Sequence, residues 1–187
     1  TFLLAVSGSI AQFPIGKLSD IYDRRKVLVI SSFGAALFAV ISIIVSRQMY
    51  LPDGLATSKT LFYFFFILFS FCSLPMFSLI LAHTNDNISK EKFVAAGAGL
   101  QFIFGLGAMS GPFLCSLFMD FVGPNGFFVF LFFFHSVIGF FGIYRMSVRK
   151  TIENPDSQFV AMPQTITPAG IELNPSTEHI EEPYSDK

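Results

Sequence analysis

Charge is what this sequence has least of, and its placement is selective. Asp, Glu, Lys and Arg make up 13% of the 187 residues, and none falls within 1–15, 27–46, 60–82, 93–119 or 127–144. A soluble domain carries about 25% charged residues, spread over its surface. Uncharged runs of this kind approach the roughly 20 residues that a helix needs to cross the hydrocarbon core of a bilayer. A soluble enzyme and a nucleic-acid-binding domain are excluded on that ground, and a lipid bilayer is the expected surrounding. Tryptophan is absent, so any interfacial aromatic belt is left to phenylalanine and five tyrosines. The two cysteines, Cys72 and Cys115, both lie inside apolar runs, where a thiol behaves as a small hydrophobe, and no disulfide is expected. The sequence has no metal-spaced His/Cys cluster, no phosphate-cradling glycine loop after a strand and no Ser/His/Asp set within reach of water. Hence no catalytic residue, metal or cofactor is expected. Thr1 opens directly on an apolar run with no basic region or cleavage site before it, and the expectation is a fragment lacking an N-terminal half.

What is present is apolar and rich in phenylalanine: 52% hydrophobic residues, 26 of them Phe. The pattern predicts an all-α membrane protein, a bundle of about five transmembrane helices over 1–148, with spans near 1–15, 27–46, 60–82, 93–119 and 127–146. The first is too short for a full crossing and reads as the end of a longer helix, with Pro14 near its terminus where a lost backbone bond costs least. The second carries Gly34, Ala35, Ala36 and Ala39, which permit close helix approach. Pro75 interrupts the third. In the fourth, Gly107 and Gly111 have the G-x-x-x-G spacing, followed by Pro112, and predict tight packing of a helix that has little side-chain bulk on one face.

Alternating spans make the cation count a test of orientation. Segments 16–26, 83–92 and 145–150 hold nine Lys/Arg, against two, Arg47 and Lys59, in connectors 47–60 and 120–126. The first group is therefore expected in the cytoplasm. Residues 149–187 are polar, rich in Pro and Glu and without apolar period, and predict a disordered cytoplasmic tail.

The densest charge lies in Gly16-Lys17-Leu18-Ser19-Asp20-Ile21-Tyr22-Asp23-Arg24-Arg25-Lys26, read as a loop at the membrane surface. Gly16, Asp20, Arg24 and Arg25 fall on a pattern that resembles the signature loop of the major facilitator superfamily of secondary transporters, which recurs between the second and third helices of each six-helix half. Ile21 stands where that family usually has a basic residue, and Asp23 where it usually has glycine. The Asp23-Arg24-Arg25 ending is similar to that of a poorly characterised bacterial branch, which points to a bacterial inner membrane. The resemblance covers residues 1 to about 148, in the register of helices eight to twelve of a twelve-helix permease.

It implies a carrier that moves a small solute, with protons as a candidate coupling ion, by alternating access between two halves, the N-terminal one being the missing partner. It also implies a gating role for Gly16, Asp20, Arg24 and Arg25, with Asp20 set against the start of the glycine-rich helix near Phe93. A solvated loop that only enforces orientation is the plainer alternative. Gly107, Gly111 and Pro112 resemble the family's glycine-proline hinge, with a simple packing kink as alternative. Gln12, Ser73 and Gln101 are the candidates for the substrate cavity, with interhelical hydrogen bonding as their competing use. His135, on a supporting helix, reads as a packing residue. A second class of function, a membrane-embedded interaction or assembly module without transport, rests on the glycine-rich helix alone.

Overall fold

The computed structural model describes residues 2–49, 56–89 and 92–148, so the expected tail at 149–187 lies outside the described residues. The described residues form six helices: α1 (Phe2–Ile21), α2 (Arg24–Met49), α3 (Ala56–Ser73), α4 (Met76–Asp86), α5 (Phe93–Val122) and α6 (Gly126–Val148). Among the described residues there is no strand. Among the described residues four runs are long and apolar enough to cross a membrane: Arg24–Arg47, Lys59–Asp86, Phe93–Val122 and Gly126–Val148.

Two boundaries differ from the sequence reading, each for a physical reason. Helix α1 runs through Gly16 and Asp20 to Ile21, so the signature loop is mostly helix and only Tyr22 and Asp23 lie between α1 and α2. Ala11, Ile15 and Ser19, spaced four apart, are all buried, and the Ser19 hydroxyl donates to the Gly16 carbonyl at 2.7 Å. That buried face extends the helix past its charged residues. Asp23 then accepts the Arg25 backbone N–H at 2.9 Å and so caps the start of α2. At the other difference, Pro75 divides the run 60–82 into α3 and α4 rather than bending one helix, because it has no N–H to donate and its ring crowds the preceding turn.

The core gathers around α2. Ala35 and Ala39 are buried against Phe69 of α3. A methyl on Gly34 would stand 3.2 Å from the Cys72 sulfur. On the opposite side α6 approaches through two glycines: a methyl on Gly139 would lie 2.8 Å from the Phe33 ring, and one on Gly142 would meet Val29. Close approach of this kind lets helices gain packing energy where lipid supplies no hydrophobic drive between them.

Serine hydroxyls join α1 to α3. Ser7 donates to the Ile67 carbonyl at 3.0 Å and Ser70 to the Leu4 carbonyl at 2.8 Å. Gly8 leaves room for the Leu74 side chain at the α3–α4 break. The turn between α5 and α6 needs glycine twice: Gly123 has φ +80°, and a side chain on Gly126 would strike the Phe118 and Met119 backbone. Asn125 in that turn reaches Ser46 of α2, with 2.6 Å between the hydroxyl and the side-chain amide. The Ser46 hydroxyl donates to Asn125 Oδ1, the shorter of its two contacts, the Ile43 carbonyl standing at 2.9 Å.

The glycine-rich face of α5 departs from expectation. Side chains added at Gly99, Gly105, Gly107 or Gly111 would meet nothing within 4 Å. Helix α5 continues through Pro112 as one element, with Phe102, Met109 and Phe113 exposed. The close packing predicted at Gly107 and Gly111 is therefore not made to any described residue of this chain.

Candidate functional site

Three helix ends meet at one side of the bundle, and Arg24 is the residue they share. It is the first residue of α2, yet only 7% exposed. Its Nη2 lies 3.5 Å from Asp20 Oδ1 in the last turn of α1, and its Nε lies 3.2 Å from Asp86 Oδ2 at the end of α4. Beside it, Arg25 Nε stands 3.6 Å from Asp23 Oδ1. His83 lies in the field of the same charges, Arg25, Asp86, Asp23 and Arg24.

Each of these residues is poorly placed for its own helix. Asp20 and Asp86 sit at carbonyl ends, where the helix dipole disfavours an anion, and Arg24 sits at an N–H end, where it disfavours a cation, by about 0.3–1 kcal/mol each. Together they compensate: the Arg24 guanidinium lies where two carbonyl ends and two carboxylates converge. Burial makes the pair asymmetric in its energetics, since forming it gains little over water while removing one partner leaves an uncompensated charge. Such a clasp fixes the relative positions of α1, α2 and α4. Its Asp20 carboxylate is 34% exposed and so remains in contact with water.

Of the signature residues, Asp20 and Arg24 are brought together with each other, and Gly16 is buried one turn below them. Asp86 was not singled out from the sequence. An acid in the final turn of an apolar helix was the available signal, because that end repels it and so calls for a cation nearby.

The polar candidates at membrane depth divide. Ser73, at the end of α3, lies 2.9 Å from His135 Nε2, and His135 Nδ1 lies 2.8 Å from the Leu131 carbonyl. A carbonyl only accepts, so Nδ1 carries the proton of the neutral ring, and Nε2 accepts from the Ser73 hydroxyl. The ring also packs edge-on against Phe69 at 5.2 Å. Ser73 is thus engaged in joining α3 to α6. Ser73→Ala is expected to cost about 0.5–1.5 kcal/mol of stability, the range for interhelical hydrogen bonds in membranes, with Ser73→Thr restoring most of it in thermal unfolding of the purified protein. Gln101 on α5 is the opposite case: its Oε1 is buried and, among the described residues, has no hydrogen-bond partner. A buried acceptor in that state is an available point of contact for a donor. Gln12 on α1 is half-buried.

The comparisons with known proteins agree on one family. The model of the major facilitator superfamily matches residues 1–173. An uncharacterised MFS-type transporter of Yersinia enterocolitica is 24% identical over 160 residues, 86% of this chain and 37% of the relative. Uncharacterised MFS-type transporters of Yersinia pestis and Yersinia pseudotuberculosis are 22% identical over the same extent. The chain thus spans little more than a third of the length of these curated relatives. No solved structure matches it significantly. With the family model covering every described helix, this chain belongs to the major facilitator superfamily and is a multi-pass membrane protein.

Proposed function

We propose that the chain is part of a secondary carrier of a bacterial inner membrane, moving a small solute by alternating access, with the Arg24 clasp as a gate. The observation that carries this reading is the buried guanidinium held between Asp20 and Asp86. Rocking of two bundles needs contacts that hold one state and break in the other. A clasp at helix ends suits that role because it bridges three elements through one side chain and becomes hydrated when they part. The nine-to-two division of cations supports a cytoplasmic side for the clasp and for the tail 149–187.

The described half would offer the solute an uncharged surface. Gln101 supplies a buried Oε1 without a partner among the described residues, and Gln12 a half-buried amide on α1. His135 has both ring nitrogens engaged, which supports a packing role. A proton-coupling carboxylate would then belong to chain outside 1–148. The open Gly107–Gly111 face suits approach by a helix of the other half, with Pro112 as hinge.

The test is flux through the full-length protein in vesicles. Asp20→Asn keeps shape and removes the charge, and is expected to lower the initial rate about three- to tenfold while membrane insertion and expression are unchanged. An unchanged rate at equal expression would remove the gating role.

A further inference from the structure

His83 stands beside the clasp, and among the described residues no carboxylate is paired with it. It lies in the last turn of α4, three residues before Asp86, and side chains at that spacing are neighbours on one helix face. The ring is half-buried. Asn87, four residues on, donates its amide to the His83 carbonyl at 2.7 Å, which brings the same Nδ2 to 3.5 Å from His83 Nδ1. A ring nitrogen that faces an N–H donor is an acceptor, so in this arrangement Nδ1 is bare and the ring is neutral.

The charges around the ring come from several elements. Helix α2 supplies Arg24 and Arg25, the turn before it Asp23, and α4 itself Asp86. Helix α1 contributes Asp20 through its contact with Arg24, and α5 has the exposed Lys92 at its N-cap. With the clasp closed, Asp86 is held by Arg24 at 3.2 Å, and a charged ring would stand as a further cation beside two guanidiniums. With the clasp open, Asp86 is left at a carbonyl end, which repels it. A charged His83 answers that need from within α4, both as a neighbour of Asp86 and as a cation in the last turn. The proton thus interacts differently with the two arrangements and favours the open one.

We propose that His83 is a proton-operated release for the clasp: a proton taken from water at Nδ1 turns the Asn87 amide away, gives Asp86 a cation on its own helix and frees Arg24 from α4. The link to flux rests on the gating reading; the movement of the helix ends does not. With that link, the release makes the gate responsive to pH on the side where the clasp lies, through a group at the membrane surface and not one at membrane depth.

The experiment uses full-length protein in vesicles, with spin labels on cysteines at Lys26 and Ser89, both exposed, and no other cysteine. Distances are read at about pH 8 and about pH 5.5, which bracket the ordinary histidine value and stay above that of a carboxylate. The two interactions gained in the open state are expected to raise the longer-distance population about three- to tenfold at the lower pH. His83→Gln is expected to keep the alkaline distribution at both, and His83→Lys to show the acid distribution at both. A wild-type distribution that does not move with pH, or one that moves equally in His83→Gln, would overturn the release. If the distances move as described while the initial rate of flux in the same vesicles ignores pH, the release stands and the gating role of the clasp falls.

Discussion

Arg24→Met in the full-length protein is expected to produce the largest functional loss, at least about tenfold in the initial rate of solute flux, equivalent to about 1.4 kcal/mol on the limiting step. Methionine keeps the stem packed but leaves Asp86 facing no cation at 3.2 Å and Asp20 none at 3.5 Å. Asp86 is 13% exposed, so its charge is largely withheld from water. Breaking a buried pair from one side costs about 3–5 kcal/mol, and here the partial access of Asp20 to solvent lowers the figure toward the bottom of that range. The unfolding midpoint should therefore fall along with the rate.

A second substitution separates the two effects. Asp86→Leu added to Arg24→Met removes the stranded carboxylate, and replacing both members of a buried pair with apolar groups is often neutral or stabilising. Stability is expected to return while flux remains low, because the clasp is still missing. If the double variant recovers both, Arg24 serves the fold alone and the gate is lost from the account.

The largest structural effect is expected at Gly126. Valine there would drive its side chain into the Phe118 carbonyl and within 2.6 Å of the Met119 Cα. Those atoms belong to the backbone of α5 and have no rotamer by which to give way, unlike the Phe33 ring beside Gly139. Overpacking costs about 1–3 kcal/mol where side chains can adjust, and a backbone clash lies at or above the top of that range. Gly126→Val should open the α5–α6 turn and detach Asn125 from Ser46, seen as a lowered unfolding midpoint and loss of monodisperse protein in size-exclusion chromatography. A midpoint within error of wild type would show that the turn is looser than described. Gly107→Val is a useful companion, since nothing within 4 Å opposes it among the described residues. Loss of stability there would reveal packing against chain beyond them.

Much of the fold was legible because membranes allow few solutions. Uncharged runs had to be helices, and the signature residues Asp20 and Arg24 stood out against a background almost empty of charge. What was not legible depended on facing partners. The charges of Lys17 and Asp20 suggested a loop, but the buried Ala11, Ile15 and Ser19 face carries α1 to Ile21. Asp23, a departure from the family pattern, proves to cap α2, a role that is invisible until the helix start is fixed.

The glycine spacing is not where the described helices meet most closely. Gly107 and Gly111 have the recognised spacing and lie open, whereas Gly139 and Gly142, three apart, make the close contact with α2. Spacing tells which face is small, and only the neighbouring helix decides whether it is used. Ser73 and His135 show the same limit. Both were visible as polar groups at depth, and their pairing across α3 and α6 followed from the break at Pro75, not from either residue's surroundings in sequence.

The account depends most on which helix ends share a membrane surface, and labelling answers that directly. Single cysteines at Lys17, Pro124 and Ser147, in a full-length protein without Cys72 and Cys115, would be exposed to a membrane-impermeant maleimide in intact cells and in inverted vesicles. Reaction at Lys17 and Ser147 from the same side, and at Pro124 from the other, is the expected result. Reaction at Lys17 and Pro124 from one side would contradict the threading, and with it the clasp and the gate.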